Sequence, residues 1–344
     1  MKILVRVPNW LGDTMMASPA VTRLKKGVPG ARVTVLCRPA FEAFWKASPG
    51  VDDVMVLGRF FDTVRALRER AFDAALVLPS SFSSALMVFL ARIPKRMGFG
   101  MEGRGLLLTK AVDYSSRRSK HLVFEYMDLL AAAFDIRPKS GEKVALAAPV
   151  AKEAACEASG LLKSLKVKPG PGYIALGPGA TFGPAKRWPA EYWRVLIERL
   201  LSERKEQLLV LGGVEEEGFL KALLSGFPEN RLHLLAGRTS VPVLTALLSK
   251  CRLLVTNDTG PMHVAAAVGT PVVAVFGSTS SIWTRPWGTG HRVLSVAAPC
   301  SPCFQRKCNI GYPCLRGVTP EAVLDAIRNA LKRRARAGGE PFPG

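Results

Sequence analysis

Short runs of branched aliphatic residues alternate with helical periodicity from the start of the chain. KILVRV (2–7) leads into a helical pattern after Gly12-Asp13, ARVTVLC (31–37) into another at 41–47, and DVMVL (53–57) and DAALVL (73–78) continue the rhythm. Strands alternating with helices of about 10–15 residues predict right-handed β-α-β crossovers and a parallel sheet. From 137 to 172 the rhythm dissolves into Lys, Pro, Gly and Ala, including Lys168-Pro169-Gly170-Pro171-Gly172, which reads as a linker. It restarts with YIALG (173–177), QLLVLGG (207–213), RLHLLAG (231–237), RLLVTND (252–258) and PVVAVFG (271–277), the pattern of a second sheet. Residues 321–335 are amphipathic and run into Lys332-Arg333-Arg334-Ala335-Arg336, cations suited to a helix C-terminus. The expected fold is α/β, with two Rossmann-like doubly wound domains facing a cleft. Their expected limits are 1–160 and 170–320, followed by a helix at 321–337 and a disordered tail after Gly338. Ligands in such folds sit outside the carboxyl ends of the strands.

Composition narrows the partners. A formal charge of +21 over 344 residues favours anions: nucleic acid, an acidic membrane surface or phosphorylated substrates. No helix-turn-helix, RNP or zinc-finger pattern accompanies the charge, and aromatics are not interleaved with it, so no specific nucleic acid is expected. The first residues carry Lys2 and Arg6 around their apolar run and lack a small-residue cleavage site, so a cytoplasmic location is expected. The uncharged stretches 74–91 and 262–283 reach the length of about 18 residues that marks a membrane span. Pro79 with four serines interrupts the first and Gly269-Thr270-Pro271 the second, so both read as strand, turn and helix units.

Three segments carry candidate chemistry at strand ends. The strand before Asn257-Asp258-Thr259-Gly260-Pro261-Met262-His263 runs into a helix start, where exposed N–H groups and the helix dipole suit a diphosphate. Asp258 or Thr259 acting as a simple cap, with His263 packed on a neighbour, is the alternative. Gly179-Ala180-Thr181-Phe182-Gly183-Pro184-Ala185-Lys186-Arg187-Trp188-Pro189 is a glycine-rich loop without Walker A spacing. Its amides, the Thr181 hydroxyl and the Lys186 ammonium are suited to phosphate oxygens, unless Lys186 is an ordinary surface lysine. Asp13, after Pro8-Asn9-Trp10-Leu11-Gly12, is either a general base at a strand-to-helix turn or an N-cap.

Together these segments resemble the ADP-heptose:lipopolysaccharide heptosyltransferases, which have the glycosyltransferase B architecture, and the middle one looks like the heptosyltransferase II branch. The resemblance implies transfer of heptose from ADP-heptose to the inner-core heptose of lipopolysaccharide with inversion, and no metal or other cofactor for catalysis; the alternatives are a related transferase that acts on Kdo-lipid A or uses another nucleotide sugar and, from another class, a basic nucleic-acid-binding protein. Asp13 would be the base, and Thr181 and Lys186 would hold the diphosphate. Gly12, Asp258, Thr259, Gly260 and His263 would line the donor site, Met262 would lie near the nucleoside, and Glu217 would hold the ribose. No acidic Asp-x-Asp metal motif is present.

An acceptor bearing phosphates and carboxylates would suit the basic residues of the first domain, among them Arg59, Arg96, Arg104 and Lys120. The same cations would hold the enzyme at the anionic inner-membrane surface, each adding about 1 kcal/mol. Residues 80–85, Ser-Ser-Phe-Ser-Ser-Ala, open a helix and either touch sugar or cap it. Four of the seven cysteines fall in Cys300-x2-Cys303-x4-Cys308-x5-Cys314. A reducing cytoplasm leaves a structural zinc site or free thiols as the readings. Cys37, Cys156 and Cys251 read as ordinary buried thiols.

Overall fold

The computed structural model describes residues 1–336 apart from 102, 139–141, 169 and 171. Pro169 and Pro171 of the expected linker and the tail after Gly338 lie outside the described residues. The chain divides into two units, Met1–Pro149 and Val150–Gly344.

In the first unit β1 (Lys2–Arg6), α1 (Leu11–Gly27), β2 (Arg32–Cys37), α2 (Glu42–Ala47), β3 (Asp53–Val56) and α3 (Phe60–Arg70) follow in order. Then come β4 (Ala74–Val77), α4 (Phe82–Leu90), β5 (Lys95–Phe99), β6 (Lys110–Val112) and α5 (Leu122–Phe134). The six strands are ordered β3-β2-β1-β4-β5-β6 and all pair in parallel. Every residue of β4 is buried, as expected of a strand covered on both faces. β5 and β6 escaped the sequence reading because KRMGF and KAV are short, charged and nearly devoid of branched residues.

The second unit begins with α6 (Lys152–Ser164), β7 (Tyr173–Gly177), α7 (Ala190–Glu203), β8 (Gln207–Val210) and α8 (Glu217–Leu224). It continues through β9 (Leu232–Leu234), α9 (Val241–Lys250), β10 (Cys251–Asn257), α10 (Gly260–Ala267) and β11 (Val272–Val275). α11 (Ser281–Thr284), β12 (Arg292–Leu294), α12 (Pro313–Arg316) and α13 (Pro320–Arg336) complete it. Its parallel order is β12-β11-β10-β7-β8-β9. Both sheets therefore reverse direction beside their first strand, between β1 and β4 and between β7 and β10, and such switch points open a crevice at the carboxyl edge.

The division at 149/150 differs from the expected limit at 160. α6 packs against α9 through Ala154, Ala158 and Leu162, so it belongs with the second core. Cys156 sits on the opposite face of α6 and is exposed, a correction to its reading as a buried thiol, whereas Cys37 and Cys251 are buried. α13 is likewise no separate appendage. Val323, Leu324, Ile327, Ala330 and Leu331 follow helical spacing and join Trp188, Trp193, Val255 and Val275 in one core. Among the described residues no helix is long and apolar enough to cross a membrane.

We expect Ile327→Ala to destabilise the protein by roughly 2–5 kcal/mol through the cavity it leaves, and Arg333→Ala to change stability little. Paired thermal melts check this, and equal shifts would show that α13 is not anchored by its apolar stripe.

Candidate active site

The switch point of the second sheet carries two loops, one after β7 and one after β10. Asn257, the last residue of β10, is fully buried and ties them together. Its side chain donates to the carbonyls of Pro178 at 2.7 Å and Gly179 at 3.0 Å and accepts from the Trp188 amide at 3.2 Å. The Thr256 hydroxyl adds a bond to the Gly177 carbonyl at 3.2 Å. The glycine-rich loop is thus pinned at both ends by the neighbouring strand.

Within this frame the Lys186 ammonium lies 2.6 Å from Asp258 Oδ2 and donates at 3.3 Å to the Asp258 carbonyl. The pair is largely buried, with side-chain exposures of 15% and 5%. Thr279 donates to the same carboxylate oxygen at 2.7 Å, and the Thr284 hydroxyl lies 3.5 Å away. Lys186 is therefore not a solvated surface lysine. Asp258 does not cap α10 either: the N-cap is Thr259, and no side chain makes a capping bond, since Thr259 Oγ1 is engaged with Thr256 Oγ1 at 3.1 Å. The first turn of α10 keeps its dipole and Gly260 at the open edge, an arrangement suited to an anion. Thr181 is exposed on the facing loop, whereas Met262 and His263 are buried beneath the helix start.

Glu217, expected at the ribose, is not the carboxylate beside the glycine-rich loop. It begins α8, faces solvent and pairs with Lys221 at 2.8 Å, one helical turn on. Its neighbour Glu216 is the buried carboxylate, accepting from the Gly213 amide at 2.9 Å. Glu216 Oε1 has no hydrogen-bond partner and stands where a Cβ on Gly179 would come within 2.3 Å. The turn Val214–Glu216 decides which of three adjacent glutamates faces inward, and the sequence carries no sign of that turn.

In the first unit Asp13 lies in the first turn of α1, with Gly12 buried beside it. The N-cap is Trp10, so Asp13 is not a cap. Arg6, a buried cation at the end of β1, donates to the Val7 carbonyl and, at 2.7 Å, to Asn9 Oδ1, while Thr14 donates to the Pro8 carbonyl at 2.9 Å. Burial lowers the Arg6 pKa to about 10, which leaves the guanidinium charged at neutral pH. The loop bearing Asp13 is therefore fixed from below. Tyr114 and Tyr126 have their pKa values raised by burial, and both feel the Asp13 carboxylate. Tyr114 also donates to Glu125 and stacks on Phe99, with ring centroids 3.9 Å apart.

The expected acceptor cations separate into two groups. Arg59, at the N-cap of α3, and Lys120, which precedes α5 and pairs with Asp128 within it, are exposed beyond the carboxyl ends of β3 and β6. Arg96 is at the opposite, amino end of β5, where it binds the Ile93 and Leu107 carbonyls at 2.6 and 2.8 Å. Arg104 is 0% exposed and donates to the carbonyls of Pro79 and Ser81, holding the loop before α4. Both are structural cations, which corrects their reading as acceptor ligands. The Ser81 hydroxyl donates to Ser84 Oγ at 3.0 Å rather than capping α4.

Of the four clustered cysteines, Cys314 is buried, whereas Cys300, Cys303 and Cys308 are partly exposed. Cys314 begins to turn in α12 and packs into the second core, its Sγ close to Gly277, and Cys308 Sγ accepts from the Tyr312 amide at 3.3 Å. Burial raises the Cys314 pKa, with smaller contributions from Cys300, Cys303 and Cys308. Among the described residues no three His, Cys, Asp or Glu side chains are gathered to hold a metal ion.

Two Rossmann-like units, one with an anion pocket and one with a carboxylate at the switch point, have the build of a glycosyltransferase that uses a nucleotide sugar. The chain belongs to glycosyltransferase family 9 (heptosyltransferase), whose profile matches residues 60–312. It is 31% identical to lipopolysaccharide heptosyltransferase 2 of Salmonella typhimurium, covering 96% of this chain and 99% of that one. Lipooligosaccharide heptosyltransferase 2 of Haemophilus influenzae is also 31% identical, over 97% of this chain and 100% of its own length. The solved ADP-heptose lipopolysaccharide heptosyltransferase II of Escherichia coli superposes with a TM-score of 0.82 at 29% identity, covering 97% of this chain and 100% of its own.

We expect Asn257→Ala to cost about 1–3 kcal/mol for each backbone group it strands and to weaken ADP binding. Thermal melts with calorimetric ADP titration test it: intact ADP affinity would show that the glycine loop holds its shape without Asn257.

Proposed function

We propose that this enzyme transfers an L-glycero-D-manno-heptose unit from its ADP donor to the inner-core heptose of lipopolysaccharide, inverting the anomeric carbon. The end-to-end match to heptosyltransferases 2 of two organisms carries this reading. The acceptor is held by the first unit and the donor by the second. Asp13 takes the proton of the attacking hydroxyl as the new C–O bond forms, and the bond from the anomeric carbon to the diphosphate oxygen breaks, releasing ADP. Lys186, the Thr181 hydroxyl and the amides opening α10 stabilise the charge gathering on that diphosphate. Glu216, rather than Glu217, receives the ribose hydroxyls on its unpartnered oxygen. Arg59 and Lys120 meet the anionic groups of the acceptor. The scheme calls on no metal or other cofactor.

The enzyme works, in this reading, at the cytoplasmic face of the inner membrane. Phe61, Phe82 and Trp10 are 75%, 48% and 47% exposed, and all follow strands of the first sheet on its carboxyl edge. Apolar side chains set among cations suit the interface of an anionic bilayer.

Asp13→Ala should lower kcat by about 10²–10⁴-fold with ADP-heptose affinity nearly unchanged. Steady-state transfer and calorimetric donor titration distinguish this from a donor-binding role, which would raise Kd and spare turnover. For the membrane, Phe61→Ser with Phe82→Ser should reduce sedimentation with phosphatidylglycerol vesicles about tenfold while sparing turnover of a soluble acceptor. Undiminished co-sedimentation would remove this edge as the contact.

A further inference from the structure

The segment after β12, which holds Cys300, Cys303 and Cys308, is laid across the donor loop. Ser301 donates through its hydroxyl to the Gly277 carbonyl at 2.6 Å, and the Phe304 amide donates to the Ser278 carbonyl at 2.7 Å. Two residues on, the Arg306 carbonyl accepts from the Ala185 amide at 3.1 Å. Gly183 makes this approach feasible: with φ at 149°, any Cβ there would stand 2.5 Å from the Arg306 oxygen. The docking brings the Arg306 guanidinium to 5.5 Å from the centre of the Phe182 ring, and the Lys186 ammonium lies 5.1 Å from the same ring.

The two cations differ in what balances them. Lys186 is paired with Asp258, whereas Arg306 is exposed and has no carboxylate partner among the described residues. A pocket holding only the Lys186–Asp258 pair is close to neutral, yet the bond-breaking step places a new negative charge on the departing diphosphate. An uncompensated guanidinium with a planar fork of donors is suited to phosphate oxygens, and the ring beneath it limits its freedom.

We propose that Arg306 is a second cation of the donor site, contacting the diphosphate of the nucleotide sugar alongside Lys186. The assignment rests on the ADP-heptose reading above. It also gives the cysteine segment a task that requires no metal: carrying this side chain to the glycine-rich loop.

The test titrates ADP and adenosine into the wild-type protein and into Arg306→Ala and Arg306→Lys, at low and high salt, with steady-state transfer in parallel. Arg306→Ala should weaken ADP about tenfold, lower kcat/KM by at least as much, flatten the salt dependence of ADP binding and leave adenosine affinity and the melting temperature unchanged. Arg306→Lys should recover part of the loss. ADP affinity and salt dependence equal to wild type in Arg306→Ala would overturn the assignment, as would an equal loss of adenosine and ADP with no recovery in Arg306→Lys, the mark of a merely structural loop. Wild-type protein that binds no ADP would instead bring down the donor reading itself, an outcome separable from the others. Gly183→Ala, which displaces the Arg306 backbone, should reproduce the selective loss of ADP; normal ADP binding there would equally count against the proposal.

Discussion

The buried ion pair between Lys186 and Asp258 is the constraint on which the two loops at the second switch point depend. Removing two charges from water is expensive, and their attraction offsets the cost only when remaining hydrogen-bond positions are filled. Thr279 fills one at 2.7 Å, and the Asp258 carbonyl takes another at 3.3 Å. Because the partners sit on loops after neighbouring strands, the pair forms only once β7 and β10 are in register. Once formed it holds the ammonium in place before any ligand arrives, so little reorganisation is left for the reaction. Asn257 does for the backbone of the same two loops what the ion pair does for their charges.

The strong positive charge of the chain is partly turned inward. Arg6, Arg96, Arg104, Arg231 and Arg334 each donate to backbone carbonyls, closing strand ends and loops that lack a regular partner. Such a guanidinium contributes to net charge without offering itself to a substrate, as Arg96 and Arg104 illustrate. Arg38, Arg59 and Lys120 are among the cations that remain outward on the first carboxyl edge.

Much of the fold was legible because parallel strands covered on both faces appear as unbroken aliphatic runs, and because the restart at Tyr173 announces a second sheet. The strands that were missed, β5, β6 and β12, are short edge or near-edge pieces with charged residues. The loop positions Asp258 and Gly260 stood out because they lie within three residues of a strand end, and Lys186 because it closes a glycine-rich loop that begins at one. Glu216, Asn257 and Arg306 did not, since their placement arises from a turn, a pairing across β7 and β10, and a loop arriving from over a hundred residues away. Arg6 did leave a signal, a charge inside an apolar strand, but it was read only as an argument against a leader sequence. Nor did the spacing of the four cysteines foretell that Cys314 packs into the second core while the other three stay partly exposed.

The absent side chain at Gly183 ties the fate of two segments together. A glycine loop that acquires any side chain there loses its seat for the segment at 300–312, and a differently shaped segment removes the reason for the glycine. The two stretches, more than a hundred residues apart, should therefore be exchanged between relatives only as a pair, and a chimera taking one without the other would inherit a donor loop with nothing to lean on.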